Sequence, residues 1–222
     1  SVTGGGRAGA HRHLVDSNID WGHDLERLGD HLRRHPAAHV TLDYDGTANP
    51  AYYGIEADDL QKTIFGGGRP SPSVLAICAT SLSGVFAPTP KFLPGAPDWT
   101  AEHESAWRGV HETLASIDSV RTGLLTAEAL RAQHPGWSAY VDEDGAIKEE
   151  PWARNEEARR VLAYLRLLDA LRRRAPDARV GSSFFLFELT ARRSTRSSEP
   201  SRSLTTSRHR CRTVSSRSHH PK

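Results

Sequence analysis

Apolar residues recur along much of this chain at the spacing of an α-helix. Between residues 20 and 34 they occur every three or four positions, at Trp21, Leu25, Leu28 and Leu32. That spacing places them on one face and predicts a helix, which His35-Pro36 ends because proline cannot continue it. A leucine stripe predicts a second helix over 155–174, and weaker patterns predict helices over 101–117 and 126–133.

Three shorter segments carry the patterns of strands. Residues 39–44 alternate between polar and apolar side chains. Residues 74–80 belong to a largely apolar run from Ser73 to Val85, which is typical of a central strand covered on both faces. Residues 180–189 predict a final strand. Strands that alternate with helices predict an α/β domain with a small mixed or parallel sheet flanked by helices.

Composition divides the chain into a lead-in, one compact domain and a tail. Residues 1–10 are rich in glycine and predict a flexible lead-in, and residues 11–190 form the α/β domain, with 119–150 as an insertion. Residues 191–222 hold eight arginines and one lysine against Glu199, a net charge of +8, whereas residues 1–190 carry −6. Too few apolar side chains remain in the tail to offset the entropy of ordering it, so we predict disorder there.

The basic tail has two interpretations. As an Arg/Ser-rich polycation it would bind nucleic acid nonspecifically and in a salt-dependent way. As the out-of-frame translation of a GC-rich gene it would have no function, and the abrupt change of composition after Leu189 favours this second interpretation. Because the 222 residues contain no methionine, we expect the chain to be a fragment or a processed product. No apolar run is long enough to predict a membrane-spanning helix.

The densest polar segment of the chain lies around the start of the first predicted helix. Ser17 or Asp20 is a suitable cap for that helix, so the simpler interpretation of this segment is structural. The alternative is a site for sugar hydroxyls or a lipid-linked phosphate, in which Trp21 stacks on a sugar face. The candidate ligand-binding residues here and in the later Asn-Pro-Ala-Tyr-Tyr segment are Asp16, Asn18, Asp20, Trp21, His23, Asp24, Asn49, Tyr52 and Tyr53.

Several other segments resemble metal-binding, phosphate-binding or catalytic motifs but lack residues that those motifs require. The side chains with zinc-ligand chemistry are His11, His13, Asp16, His23 and Asp24. Their spacing fits no closed zinc site. Asp142-Glu143-Asp144-Gly145 lacks the acidic first and twelfth positions of a calcium loop and predicts a hairpin turn instead. Gly66–Pro70 lacks the Lys-Ser/Thr of a phosphate-binding loop, and no Gly-x-Ser-x-Gly motif occurs. We therefore predict no catalytic residue, no metal and no cofactor.

The order of four motifs resembles a known family. The run His13–Leu25 contains Asp-Ser-Asn-x-Asp-Trp-Gly, and it is followed by Gly46–Ile55, Ala79–Val85 and Ala178–Ser183. In this order the motifs resemble the soluble C-terminal domain of bacterial membrane glycosyltransferases of the dolichyl-phosphate-mannose-protein mannosyltransferase-like superfamily. The resemblance covers roughly residues 4–92 and 161–189.

Three positions depart from the family pattern. His23 stands where the family usually has glutamine, Asp45 replaces an aromatic residue before the glycine, and Ser182-Ser183 replaces a Tyr-Ser pair.

The resemblance implies a role outside catalysis. Members of that family use polyprenyl-phosphate sugars, and their catalytic acidic residue is expected between early transmembrane helices. The resemblance therefore implies a non-catalytic accessory domain on the extracytoplasmic face of a bacterial membrane. Its partner would be the transmembrane portion of the parent protein, and its ligand a glycan or a polyprenyl-phosphate sugar. The alternative from another class is a free-standing soluble hydrolase that uses Asp20, His23 and Asp24.

Overall fold

The structure, a computed structural model, describes residues 23–71, 73–84, 87–88, 98–133 and 135–189. All of them lie within the unit Ser1–Ala191. The predicted lead-in and the basic tail fall outside the described residues. So do the two residues predicted to cap the first helix, Ser17 and Asp20.

Six helices and five strands make up the described fold. The helices are α1 (His23–Arg34), α2 (Leu60–Phe65), α3 (Ala79–Ser83), α4 (Ala101–Arg121), α5 (Ala127–Gln133) and α6 (Glu149–Arg172). The strands are β1 (Val40–Asp43), β2 (Asp58–Asp59), β3 (Val74–Cys78), β4 (Ala178–Val180) and β5 (Phe184–Glu188). Two 3₁₀ segments lie at Pro50–Tyr53 and Pro135–Ala139.

The five strands form one mixed sheet in the order β2-β1-β3-β5-β4. Strands β2, β1 and β3 are parallel, whereas β5 is antiparallel to both of its neighbours. The prediction of an α/β domain with a mixed sheet flanked by helices is therefore confirmed. Within the described ranges no helix combines the length and the apolarity needed to cross a bilayer.

Alternate residues of the central strand β3 face opposite layers. Leu75 and Ile77 pack with α2, α3 and α6, where Tyr164 and Leu168 are almost fully buried. Ala76 and Cys78 face the other layer, in which α1 is the covering helix. The continuous apolar pattern of this strand is thus explained by burial on both faces.

The strand predicted over residues 74–80 is two residues too long, and the structure corrects it. β3 ends at Cys78, and the following residues form the short helix α3. The Cys78 side chain caps this helix by accepting from the Ser81 backbone N–H, and Gly84 ends it in the left-handed region at φ 75°. The apolar pattern predicts a strand here, but the residues form helix α3 instead because its caps and its own turn satisfy the backbone hydrogen-bonding groups.

The C-terminal strand prediction also needs correction, because residues 178–188 form a hairpin rather than one strand. Strands β4 and β5 pair antiparallel, with Val180 opposite Phe184. Gly181, at φ 62°, begins the turn between them, where a residue without a Cβ adopts the left-handed region at no steric cost. Strand β2 and helix α2 were not predicted. β2 consists of Asp58-Asp59, a charged pair of low strand propensity at the edge of the sheet.

The helical predictions agree with the structure to within a few residues, except at the start of the last one. α6 begins at Glu149 rather than at residue 155, with Pro151 in its first turn, where proline is tolerated. The region predicted as an insertion contains the end of α4, α5 and a hairpin turn. In that turn Val141 pairs with Ile147, and Gly145 adopts φ 85°, so the hairpin prediction is confirmed.

Candidate functional site

Three of the four motifs that carry the family resemblance have residues that meet at one edge of the sheet. Asp43 at the end of β1 pairs with Ile77, and Cys78 at the end of β3 pairs with Phe184 at the start of β5. The first turn of α1 reaches the same place through Asp24. We call this place, where β1 and β3 end and β5 begins, the carboxyl edge. In open α/β sheets, ligands bind beyond the carboxyl ends of the parallel strands, so it is the candidate site.

Asp24 is a buried carboxylate whose two oxygens are both occupied. Oδ2 accepts hydrogen bonds from the backbone N–H groups of Ser182 and Ser183, at 2.7 and 3.0 Å. The two serine hydroxyls donate to the same oxygen at 3.2 and 2.8 Å. Oδ1 accepts from Nη1 of Arg27 at 2.7 Å. Asp24 therefore fastens the start of α1 to the turn of the β4–β5 hairpin.

The electrostatics of Asp24 make it a poor general base. Burial acts to raise its pKa, but the hydrogen bonds from Ser183, Ser182 and Arg27 outweigh burial, and the pKa lies below its ordinary value. A base that works near neutral pH needs a pKa close to that pH. Proton abstraction by Asp24 is for that reason disfavoured, and its contacts support the structural interpretation of this part of the polar segment.

A second buried carboxylate, Asp43, closes the end of β1. Its Oδ2 accepts from the Tyr164 hydroxyl of α6 at 2.7 Å, and its Oδ1 accepts from Nε2 of Gln61 at 3.1 Å. Burial raises the pKa of Asp43 in spite of these bonds. Sequence reasoning missed this group because Asp43 sits inside a strand pattern. The sequence signal for this group was a charged residue at the end of a strand whose other residues are buried, since a buried carboxylate needs partners.

The third polar group at the carboxyl edge is the pair of Cys78 and Ser81. Sγ of Cys78 lies 3.2 Å from the Ser81 hydroxyl and accepts from the Ser81 and Asp45 backbone N–H groups, both at 3.4 Å. Burial raises the pKa of the Cys78 thiol. Because the thiolate is the reactive form of cysteine, these surroundings oppose nucleophilic chemistry. Cys78 acts here as a helix cap.

Two exposed predicted residues lie in and next to the 3₁₀ segment after β1. Asn49 Oδ1 accepts from the Ala51 backbone N–H at 3.0 Å and so caps this segment. The Tyr52 side chain is 88% exposed, and its ring meets the Tyr53 ring edge-on at 5.6 Å. Tyr53 itself packs against the core layer of α1. Of this group Tyr52 presents the most open aromatic surface to a ligand.

The cap formed by Asn49 gives a testable prediction. Asn49→Ala leaves the Ala51 N–H without its side-chain acceptor, and we expect the free energy of unfolding to fall by about 1 kcal/mol. Urea denaturation followed by circular dichroism measures this change. Thr47→Ala, an exposed position two residues earlier, is the matched control. An equal effect of the two substitutions would contradict the capping role.

The remaining predicted site residues are placed only in part. Asp16, Asn18, Asp20 and Trp21 lie outside the described residues, and His23 is the first residue of α1. In the part of the chain that the structure describes, no three side chains of His, Cys, Asp or Glu are grouped so as to hold a metal ion.

Comparison with known proteins gives no relative for this chain. No protein-family profile, no curated protein and no solved structure matches it.

Proposed function

We propose that this chain is a non-catalytic extracytoplasmic accessory domain of a polyprenyl-phosphate-sugar-dependent membrane glycosyltransferase-like protein. Its partner is the transmembrane portion of that protein, and it contacts a glycan or the sugar of a polyprenyl phosphate. The observation that carries the proposal is that three of the four resembling motifs have residues that meet at the carboxyl edge, namely Asp24, Ala79 and Ser183. Segments so distant in sequence converge there through Asp24, Ser182 and Ser183.

The chemistry of that edge supports a binding role over a catalytic one. Among the described residues of this edge, three buried titratable side chains hold the fold: Asp24 accepts from five donors, Asp43 from Tyr164 and Gln61, and Cys78 from backbone N–H groups. The hydrolase alternative needs Asp24 as a base or an orienting group. The lowered pKa of Asp24 and its two occupied oxygens oppose the role of a base.

Among the described candidate ligand-binding residues, Tyr52 has the exposed aromatic face that suits a sugar. A pyranose ring presents C–H groups on one face, which pack on an aromatic ring, and hydroxyls at its rim, which reach polar neighbours. Tyr52 offers such a ring, and aromatic contacts contribute about 0.5–1.5 kcal/mol beyond the area that they bury.

The test is a calorimetric titration of the whole chain with polyprenyl-phosphate sugars and with short glycans. We expect saturable binding, weakened about tenfold by Tyr52→Ala, since about 1.4 kcal/mol corresponds to that factor. Leu124→Ala, at another exposed large apolar residue (83% exposed), is the matched control and should leave the affinity unchanged.

Two outcomes would count against the proposal. Absence of binding to every ligand of both classes would remove the ligand role. Turnover of ester or glycoside substrates that disappears in His23→Ala would favour the hydrolase alternative instead. Thermal melting of each variant checks that the substitution leaves the fold intact.

A further inference from the structure

A cleft of about 690 Å³ lies at the opposite edge of the sheet from the carboxyl edge. One wall is formed by His31, in the last turn of α1, and by His35, the residue that follows this helix. Another is formed by Asp177 and Glu188 at the outer ends of β4 and β5. Ser73, just before β3, lies between them. Two imidazoles and two carboxylates thus line one open space.

The two histidines are one helical turn apart and their rings are neighbours. The ring centroids are separated by 4.6 Å, with an angle of 38° between the ring planes. Their one mutual hydrogen bond is between backbones, from His35 N–H to the His31 carbonyl at 2.9 Å. Within the described ranges neither imidazole makes a hydrogen bond, so both rings keep a nitrogen for a ligand.

This separation of the rings fits chelation of one metal ion. Imidazole nitrogen binds Zn²⁺ at about 2.0–2.1 Å, which places each ring centre roughly 3.2 Å from the ion. For N–Zn–N angles of about 90–110°, two such centres lie roughly 4.5–5.2 Å apart. The observed 4.6 Å falls in that range. Histidines four residues apart on a helix are also the spacing by which helical zinc motifs supply two ligands.

The surrounding charges favour a cation in the cleft. The last carbonyl groups of α1, around His31, carry the negative end of the helix dipole. Glu188 and Asp177 add carboxylates on the facing wall, with Asp177 already bound to Arg174 and to the Glu188 N–H. The guanidinium of Arg34 also acts on His31, so the helix carbonyl groups and the carboxylates have one positive charge to outweigh.

We propose that His31 and His35 form a two-ligand site for a divalent transition-metal ion, with Zn²⁺ the ion of choice, at this cleft. No third side chain among the described residues completes the ligand set. Water therefore fills the remaining positions, and the ion stays open to exchange and to a further ligand from the cleft. The site is independent of the glycan role proposed above.

The experiment is a calorimetric titration of the whole chain with ZnCl₂, carried out on the unsubstituted protein and on three variants. His31→Gln and His35→Gln each remove one ring at a half-exposed or exposed position, so folding is preserved. His39→Gln is the matched control, since the His39 ring already contacts Asp58 at 2.7 Å. The other histidines of the chain contribute equally to all four titrations.

We expect His31→Gln and His35→Gln each to lose one zinc equivalent, and His39→Gln to retain it. The imidazole resonances of His31 and His35 should shift together when zinc is added. Four identical isotherms would overturn the proposal, and so would loss of the equivalent in the His39 variant alone.

Discussion

Replacing Asp24 with alanine should lower the free energy of unfolding by about 3–5 kcal/mol, because several buried donors lose one charged acceptor and each unsatisfied buried group costs about 1–3 kcal/mol. The substitution leaves the Ser182 and Ser183 N–H groups and both hydroxyls without their shared acceptor. It also releases the start of α1 from the hairpin turn. Urea denaturation of the whole chain, followed by circular dichroism, measures the loss.

Asp30→Ala is the matched control for Asp24→Ala. Asp30 lies on the same helix and pairs with Arg33, but both partners are exposed, and exposed ion pairs contribute about 0–1 kcal/mol. Comparable losses in the two variants would contradict the fastening role of Asp24.

Gly181→Ala tests the same contact by a substitution in the hairpin turn. A Cβ there would lie 2.1 Å from the Asp24 carboxylate, on a backbone at φ 62°, so we expect it to be destabilising as well.

The stabilisation by Asp24 should depend on pH in a defined direction. Its pKa in the folded protein is lowered from the ordinary value of 3.8. A lowered carboxyl pKa means that the unfolded chain binds the proton more tightly than the folded one does. The contribution of Asp24 is therefore complete above the unfolded-state pKa and is lost as the pH falls through the folded-state value.

The elements of the fold with clear periodicity could be predicted from the sequence. α1 shows its apolar face in Leu25 and Leu28, and β3 shows burial on both faces in its unbroken apolar run. Short elements could not be predicted in this way. β2 is a charged pair that forms a strand because it pairs parallel with β1. α3 depends on a cysteine cap, which no hydrophobic pattern indicates.

The candidate site was harder to predict, because its contacts join residues that are far apart in the sequence. Asp24 stood out as one of many polar residues, but the sequence does not indicate that Ser182 and Ser183, over 150 positions later, satisfy it. The same holds for Asp43 and Tyr164, which are separated by 121 residues. Local patterns specify which side chains are buried, whereas the pairing of buried polar groups is decided by the tertiary fold.

The pair of Asp43 and Tyr164 should show a pH dependence opposite to that of Asp24. The pKa of Asp43 is raised from 3.8 by burial, so the folded protein binds its proton more tightly than the unfolded chain does. Stability from this group is complete below the unfolded-state pKa and is lost as the pH rises through the folded-state value. When Asp43 is ionised, the Tyr164 hydroxyl and Gln61 stabilise its carboxylate by donating hydrogen bonds to it.

Tyr164→Phe removes the shorter of these two hydrogen bonds and should therefore be costly when Asp43 is charged. Above the folded-state pKa of Asp43 we expect a loss of about 2–3 kcal/mol in the free energy of unfolding, the range for a hydrogen bond to a charged group. Below the ordinary carboxyl pKa the loss should shrink to about 1 kcal/mol, because the bond then joins two neutral groups. Denaturant titrations at several pH values measure both limits.

Tyr140→Phe is the matched control, since the Tyr140 hydroxyl accepts from the neutral amide of Asn155 at 3.2 Å. Its cost should be the same at every pH. In an Asp43→Asn background the pH dependence of Tyr164→Phe should disappear, because the group that titrates is gone. A cost of Tyr164→Phe that is independent of pH with Asp43 in place would show that the hydroxyl does not stabilise a carboxylate, and that Tyr164 acts at the carboxyl edge by packing alone.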